Sequence, residues 1–173
     1  MEKRNVLFVM SSLRNGGAER SLVNLLQLLD YDRYNVDLLL FQNEGMFLKQ
    51  VPKAVNIISN CNKLYTLYDN NKAEALKHPY LSAIHMIGTF ISRKKTNSVA
   101  KSRQYRWEHF YKKIVPELTK EYDVAIAYMQ REQTYFLVDK VKAAKKIAWV
   151  HNEYSQLGHF KEMDLEYFEK VDK

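Results

Sequence analysis

Apolar residues along this chain fall into two alternating patterns. Short continuous runs at Asn5–Met10, Val36–Phe41, Val55–Ile58, Val124–Met129 and Lys146–Val150 read as strands buried on both faces, as in a parallel sheet. Between them lie stripes at helical spacing. Ala18, Leu22, Leu25, Leu26 and Leu29 form one. Leu81, Ile84, Gly88 and Ile91 form a second, opened by Pro79 at a first helical position. Trp107, Tyr111, Ile114 and Leu118 form a third, interrupted by Pro116. The segment Glu132–Val141 forms a fourth, presenting Tyr135, Val138 and Val141. Strand–helix alternation of this kind predicts a doubly wound α/β domain with a mainly parallel sheet and helices on both faces. The last stretch, Phe160 to Lys173, is polar and helix-prone and runs toward a strand that does not follow. Residues 1–173 are therefore expected to be one domain of a longer protein, cut before a final strand.

Composition narrows the class. Apolar residues make up 46% and charged residues 27%, a balance that excludes disorder and collagen-like repeats. The single cysteine, Cys61, excludes a disulfide scaffold and fits a reducing compartment. The N-terminal apolar run ends at Met10, too early for a secretory signal, and no stretch approaches the ~20 apolar residues of a membrane span. The expectation is a cytoplasmic protein, at most peripheral to a membrane. The formal charge is +7, and its distribution is uneven. Between Arg93 and Lys113 stand eight basic residues and one acid, Glu108, which is the whole excess; the rest of the chain is neutral.

In a doubly wound sheet, ligands bind beyond the carboxyl ends of the strands, so the residues just after each apolar run carry the chemistry. The first run is followed by Ser11-Ser-Leu-Arg-Asn-Gly-Gly-Ala-Glu-Arg20 and then a helix. Gly16 and Gly17 permit close approach of a ligand to the backbone, and the helix N-terminus that follows favours phosphate. A glycine-containing turn with no ligand is the competing reading. The loop lacks G-x-G-x-x-G and a Walker lysine, and the second run ends Leu40-Phe-Gln42 without a ribose-binding acid, which argues against nicotinamide and P-loop chemistry. The fifth run delivers His151, placed to donate a hydrogen bond or transfer a proton, or else simply a loop residue at the strand end. Tyr128 and Arg131, after the fourth run, are candidates for the same crevice, with Arg14 from the first loop. Arg131 and Glu132 read equally well as ordinary residues opening a helix. His78, His85 and His109 read as surface or packing residues. His159 follows His151 without the spacing or companions of a metal site, so no metal is expected.

These residues resemble a known family. The stretch Asn5-Val-Leu-Phe-Val-Met-Ser-Ser-Leu-Arg-Asn-Gly-Gly-Ala-Glu-Arg-Ser-Leu-Val-Asn-Leu-Leu26 resembles the opening of family 4 (group 1) retaining glycosyltransferases. Ile147-Ala-Trp-Val-His-Asn-Glu153 is similar to that family's later strand ending in a histidine. The resemblance implies a GT-B architecture of two Rossmann-like domains, of which this chain would be the N-terminal, acceptor-side one. By that analogy Gly16 and Gly17 face the donor diphosphate or the acceptor, Glu19 and Arg20 lie in or near the site, and His151 contacts the transferred sugar. The implied ligands are a nucleotide-sugar donor, held mainly by the missing C-terminal domain, and a carbohydrate or lipid-linked acceptor, with no separate cofactor. The implied role is cell-surface polysaccharide or glycolipid synthesis. The family's E-x7-E pair belongs to the other domain, and no two glutamates here have that spacing. The chain alone is expected to be inactive.

Three readings stand for the basic segment. It is a solvated helix face; or an attachment to an anionic membrane through Arg93, Lys94, Lys95, Lys101, Arg103 and Arg106; or a nucleic-acid surface. Trp107, Tyr111 and Ile114 share one helical face and so belong to the core, which argues against base stacking. The alternative to an enzyme is a non-catalytic α/β module docking an anionic surface or partner through Arg93–Lys113.

Overall fold

A computed structural model of the chain describes residues 2–58, 62–68, 76–151, 158 and 160–173. Five parallel strands form one sheet in the order β3-β2-β1-β4-β5. They are β1 (Arg4–Met10), β2 (Tyr34–Leu40), β3 (Val55–Ile57), β4 (Glu121–Ala127) and β5 (Lys142–Ala148). The helices are α1 (Gly17–Leu28), α2 (Asn62–Tyr68), α3 (Pro79–Lys95), α4 (Val99–Arg106), α5 (Glu132–Lys140) and α6 (Lys161–Phe168). The fold is therefore the expected Rossmann-like, doubly wound α/β arrangement.

Alternation along the central strands divides the core in two. Val6, Phe8 and Met10 of β1 pack with Leu38 and Leu40 of β2 against Leu22, Val23 and Leu26 of α1. Leu7, Val9 and Leu39 point the other way, against Leu64 and Leu67 of α2, Leu81 of α3, Phe136 of α5 and Tyr167 of α6. The central strands β1 and β2 bury both faces, which is why their sequences read as unbroken apolar runs.

Several boundaries differ from the sequence expectation, each for a physical reason. β5 covers Lys142–Ala148 where the apolar run predicts Lys146–Val150. As the last strand in the sheet order it pairs with β4 alone, so it tolerates Lys142 and Lys145 on its exposed positions, and no apolar run marks its start. Trp149 and Val150 lie beyond its end. The third helical stripe breaks at Val115, which is extended as residues preceding proline tend to be; Leu118 is buried, but outside the helix. Its beginning is also earlier than the stripe indicates. Ser98 accepts a hydrogen bond from Lys101 N at 3.1 Å and caps a polar helix, α4. α4 continues through one π turn, Trp107–Tyr111, into a last turn at Lys112–Ile114. Trp107 and Tyr111 are fully buried, as their shared face predicts.

α3 and α4 form a hairpin over the second core. Ser92 and Ser102 meet across it, Oγ to Oγ, at 2.7 Å, and the Phe110 ring packs beside Gly88. Gln104 then ties α4 to its neighbours: its Nε2 donates to Tyr135 Oη and to Asp164 Oδ1, both at 2.9 Å. Past α6 the chain turns beside β5, where Asp172 N donates to Lys146 O and Ala148 N to Lys173 O.

Candidate functional site

The loops after β1, β2, β4 and β5 meet at the carboxyl edge of the sheet, and the residues singled out from the sequence divide there into two groups on opposite faces. The first lies on the α1 side. Gly16 is the N-cap of α1, extended and without a side-chain cap. Glu19, in the first turn, folds its carboxylate back over the Gly16 Cα, while the space where a Gly17 Cβ would stand is open. Arg20 is exposed on the next turn. Ser21 Oγ and Tyr128 Oη are 3.0 Å apart, which pins the start of α1 to the end of β4. Tyr128 is buried and is the hub of this group. Its ring contacts Phe8 beneath, Trp149 at 4.6 Å and His151 at 4.9 Å between centroids. His151 is exposed, and its backbone N–H donates to Gln130 Oε1 at 3.3 Å. The glycine turn, Tyr128 and His151 are thus brought together. Asn152, Glu153, Tyr154, Cys61 and His159 lie outside the described residues.

Arg131 stands between the two groups. Its φ of 81° and ψ of −131° make it the sole non-glycine with positive φ among the described residues, at the sharp turn from β4 into α5. Such a conformation costs about 1–3 kcal/mol and persists where the surroundings enforce it. Here the buried neighbours Gln130, Glu132, Gln133 and Thr134 hold the turn on both sides.

The second group lies on the other face, under the α3–α4 hairpin, around a cleft of about 550 Å³. Ser11 and Arg14 of the first loop, Phe41 and Gln42 after β2, Tyr68, His85, and Glu132 at the start of α5 form its floor and near walls. Arg93, Arg103 and Arg106 form the far wall. The first loop is held rigidly against the second: Leu13 N donates to Glu44 O, Phe47 N donates to Leu13 O, and Arg14 pairs with the Glu44 carboxylate. Gly45 makes this contact feasible, since at φ 127° it lies against the Leu13 backbone where no Cβ fits. His85 Nδ1 stands 3.0 Å from Leu67 O and 2.8 Å from Tyr111 Oη. Burial, and then the Arg106 charge, lower its pKa, so it is neutral at pH 7. Burial pushes the Tyr111 hydroxyl up to about 12, and raises Tyr68 well above its ordinary value with help from Glu132.

The basic segment lies outside the two sequence motifs, the glycine turn and His151. Its side chains in fact divide. Lys94 and Lys95 are exposed at the end of α3, and Lys101 lies over the Phe160 ring at 4.8 Å. Arg93, Arg103 and Arg106 turn toward the cleft. Glu132, Tyr68 and His85 were not anticipated as site residues, because nothing local in the sequence separates them from helix-opening or packing positions.

No family model, curated protein or solved structure matches the chain. Among the described residues, no helix is long and apolar enough to cross a membrane, and no three acidic, histidine or cysteine side chains cluster as metal ligands do.

Proposed function

We propose that this chain is the acceptor-side, N-terminal half of a two-domain retaining glycosyltransferase, moving a sugar from a nucleotide-sugar donor to an acceptor hydroxyl. One observation supports this reading above the others. Tyr128 gathers the glycine turn, open at Gly17, the N-terminus of α1 and exposed His151 at one carboxyl edge. In this reading the helix N-terminus favours the anionic diphosphate, and the open space over Gly17 admits it without contact to a side chain. His151 donates a hydrogen bond to the transferred sugar, its ring held by Tyr128 and Trp149. The donor half would come from a further domain. In the two-domain enzyme, His151→Ala is expected to lower kcat by about 100-fold or more with the fold intact, because the side chain is exposed. Radiolabelled sugar transfer measures this, and an unchanged kcat removes His151 from the site.

A second reading, a module docking on an anionic membrane, has an observation of its own. Tyr80, Met86, Ile87 and Phe90 of α3 are all exposed, and Lys94 and Lys95 follow on the same helix. An exposed apolar side with lysines at its end fits the interface of an anionic bilayer. Sedimentation with phosphatidylglycerol vesicles, and not with phosphatidylcholine vesicles, is the expected result. Binding that is absent, or indifferent to salt, defeats this reading. The two readings are compatible, since they use different surfaces.

A further inference from the structure

Four buried side-chain polar atoms among the described residues lack any hydrogen-bond partner: Tyr68 Oη, Arg106 Nε, Glu132 Oε1 and Gln130 Nε2. The first three belong to residues that line the cleft beneath the α3–α4 hairpin. Each such group, left unsatisfied, costs about 1–3 kcal/mol and more when charged, so their concentration in one place demands a reason. Glu132 is the sharpest case. It is 4% exposed, and its nearest cation, Arg103 Nε, stands 3.8 Å from Oε1, beyond hydrogen-bonding distance. The cleft also has a strong sign: Arg14, Arg93, Arg103 and Arg106 face a single carboxylate. Arg14 is already paired with Glu44, which leaves three guanidinium groups on the hairpin side.

We infer that this cleft is a binding site for a small polyhydroxylated ligand carrying a phosphate group. The phosphate lies against Arg93, Arg103 and Arg106, whose guanidinium forks match phosphate oxygens in pairs. Glu132 accepts a hydrogen bond from a ligand hydroxyl, and Tyr68 donates one. That division explains why a lone buried carboxylate is kept within a cationic wall: it repels a bare phosphate from the floor and selects hydroxyls there. The volume of about 550 Å³ accommodates a sugar phosphate with room to spare. The assignment stands on the cleft alone. It needs no part of the transferase reading, whose residues lie on the opposite face.

Calorimetric titration of the 173-residue chain with glucose 1-phosphate, glucose and inorganic phosphate tests the site. Glucose 1-phosphate is expected to bind saturably and more tightly than either fragment. Arg93→Gln with Arg103→Gln should weaken it about tenfold or more, as charge-assisted hydrogen bonds are lost. Lys94→Gln with Lys95→Gln should leave it within about twofold, since those exposed charges are screened. The lysines and Arg93 are exposed, while Arg103 is half-exposed and pairs with buried Glu132, so circular dichroism and urea unfolding check that both double variants remain folded. A lipid-borne source is separated by vesicles. Preference for phosphatidylinositol over phosphatidylserine at equal charge, abolished by the arginine pair, identifies a headgroup; binding of the soluble probe without that preference identifies a free ligand; both support the site. The inference is overturned if neither probe saturates, if the lysine pair weakens binding as much as the arginine pair, or if inorganic phosphate binds as tightly as glucose 1-phosphate. None of these results depends on sugar transfer, so failure here leaves the His151 proposal standing.

Discussion

Asp37 and Glu132 are both carboxylates, both 4% exposed, and both on the same side of the same sheet, yet they live in opposite circumstances. Asp37, on β2, accepts hydrogen bonds from Asn56 Nδ2 at 2.8 Å, Tyr122 Oη at 2.8 Å and Lys120 Nζ at 2.9 Å. Burial alone would raise its pKa. The three donors and the Lys120 charge outweigh that and lower it. Glu132, at the carboxyl edge, has no such donor for Oε1. A third buried carboxylate, Asp164, sides with Asp37, since Gln104 and Tyr135 both donate to it. The fold thus satisfies its acids where they hold elements together. It leaves one unsatisfied where the sheet edge opens into a cleft, and that asymmetry separates a structural carboxylate from one waiting for a ligand.

Three measurements distinguish the two carboxylates. The largest effect is expected from Asp37→Ala, which strips an acceptor from Asn56, Tyr122 and Lys120 at once. It should cost about 2 kcal/mol in urea unfolding, mostly through the buried Tyr122 hydroxyl, because Asn56 is exposed and half-exposed Lys120 is screened. A loss below about 1 kcal/mol would mean that the network is not holding β2, β3 and β4 together. Glu132→Gln should act in the opposite direction, gaining about 1 kcal/mol by removing a buried charge whose Oε1 accepts no hydrogen bond and whose ion pair with Arg103 is long. Arg103 is half-exposed and loses little. The same variant should bind glucose 1-phosphate more weakly, so a gain in stability would accompany a loss of binding. A destabilised Glu132→Gln would place Glu132 with the structural acids. The smallest effect is the pH signature. Asp37 has a lowered folded pKa, so its stabilisation is present above the unfolded value and is lost as pH falls through the folded one. The stability gap between the wild type and Asp37→Asn should be flat from about pH 5 to 8 and close below about pH 4. A gap that already narrows by pH 6 would contradict the lowered value.

Much of the fold was legible because the central strands announce themselves. β1 and β2 bury both faces, so their runs are continuous, and α1 carries an unambiguous stripe. Edge strand β5 and polar α4 were harder for the same physical reason: an element that buries little need not look apolar. The candidate site was legible only where it is local. The glycine turn, Tyr128 and His151 each follow a strand directly, and the rule that ligands sit at carboxyl ends finds them. The cleft is assembled from residues far apart in the chain. Arg14, Tyr68, Arg93, Arg106 and Glu132 meet only through tertiary packing, and no spacing in the sequence encodes their meeting. The positive φ of Arg131 is likewise invisible beforehand, since glycine is the residue that normally announces such a turn.

The π turn at Trp107–Tyr111 has a consequence for how the cleft wall is geared to the core. A π turn takes up one residue more than an α turn, so the helix before it is rotated by about 100° against the helix after it, relative to an unbroken α-helix. Arg103 and Arg106 lie before that phase shift; Ile114, which packs against the core, lies after it. The extra residue acts as a vernier. It lets the downstream part keep its apolar seat while the upstream part turns its arginines toward the cleft, a combination that one straight α-helix of this sequence could not present.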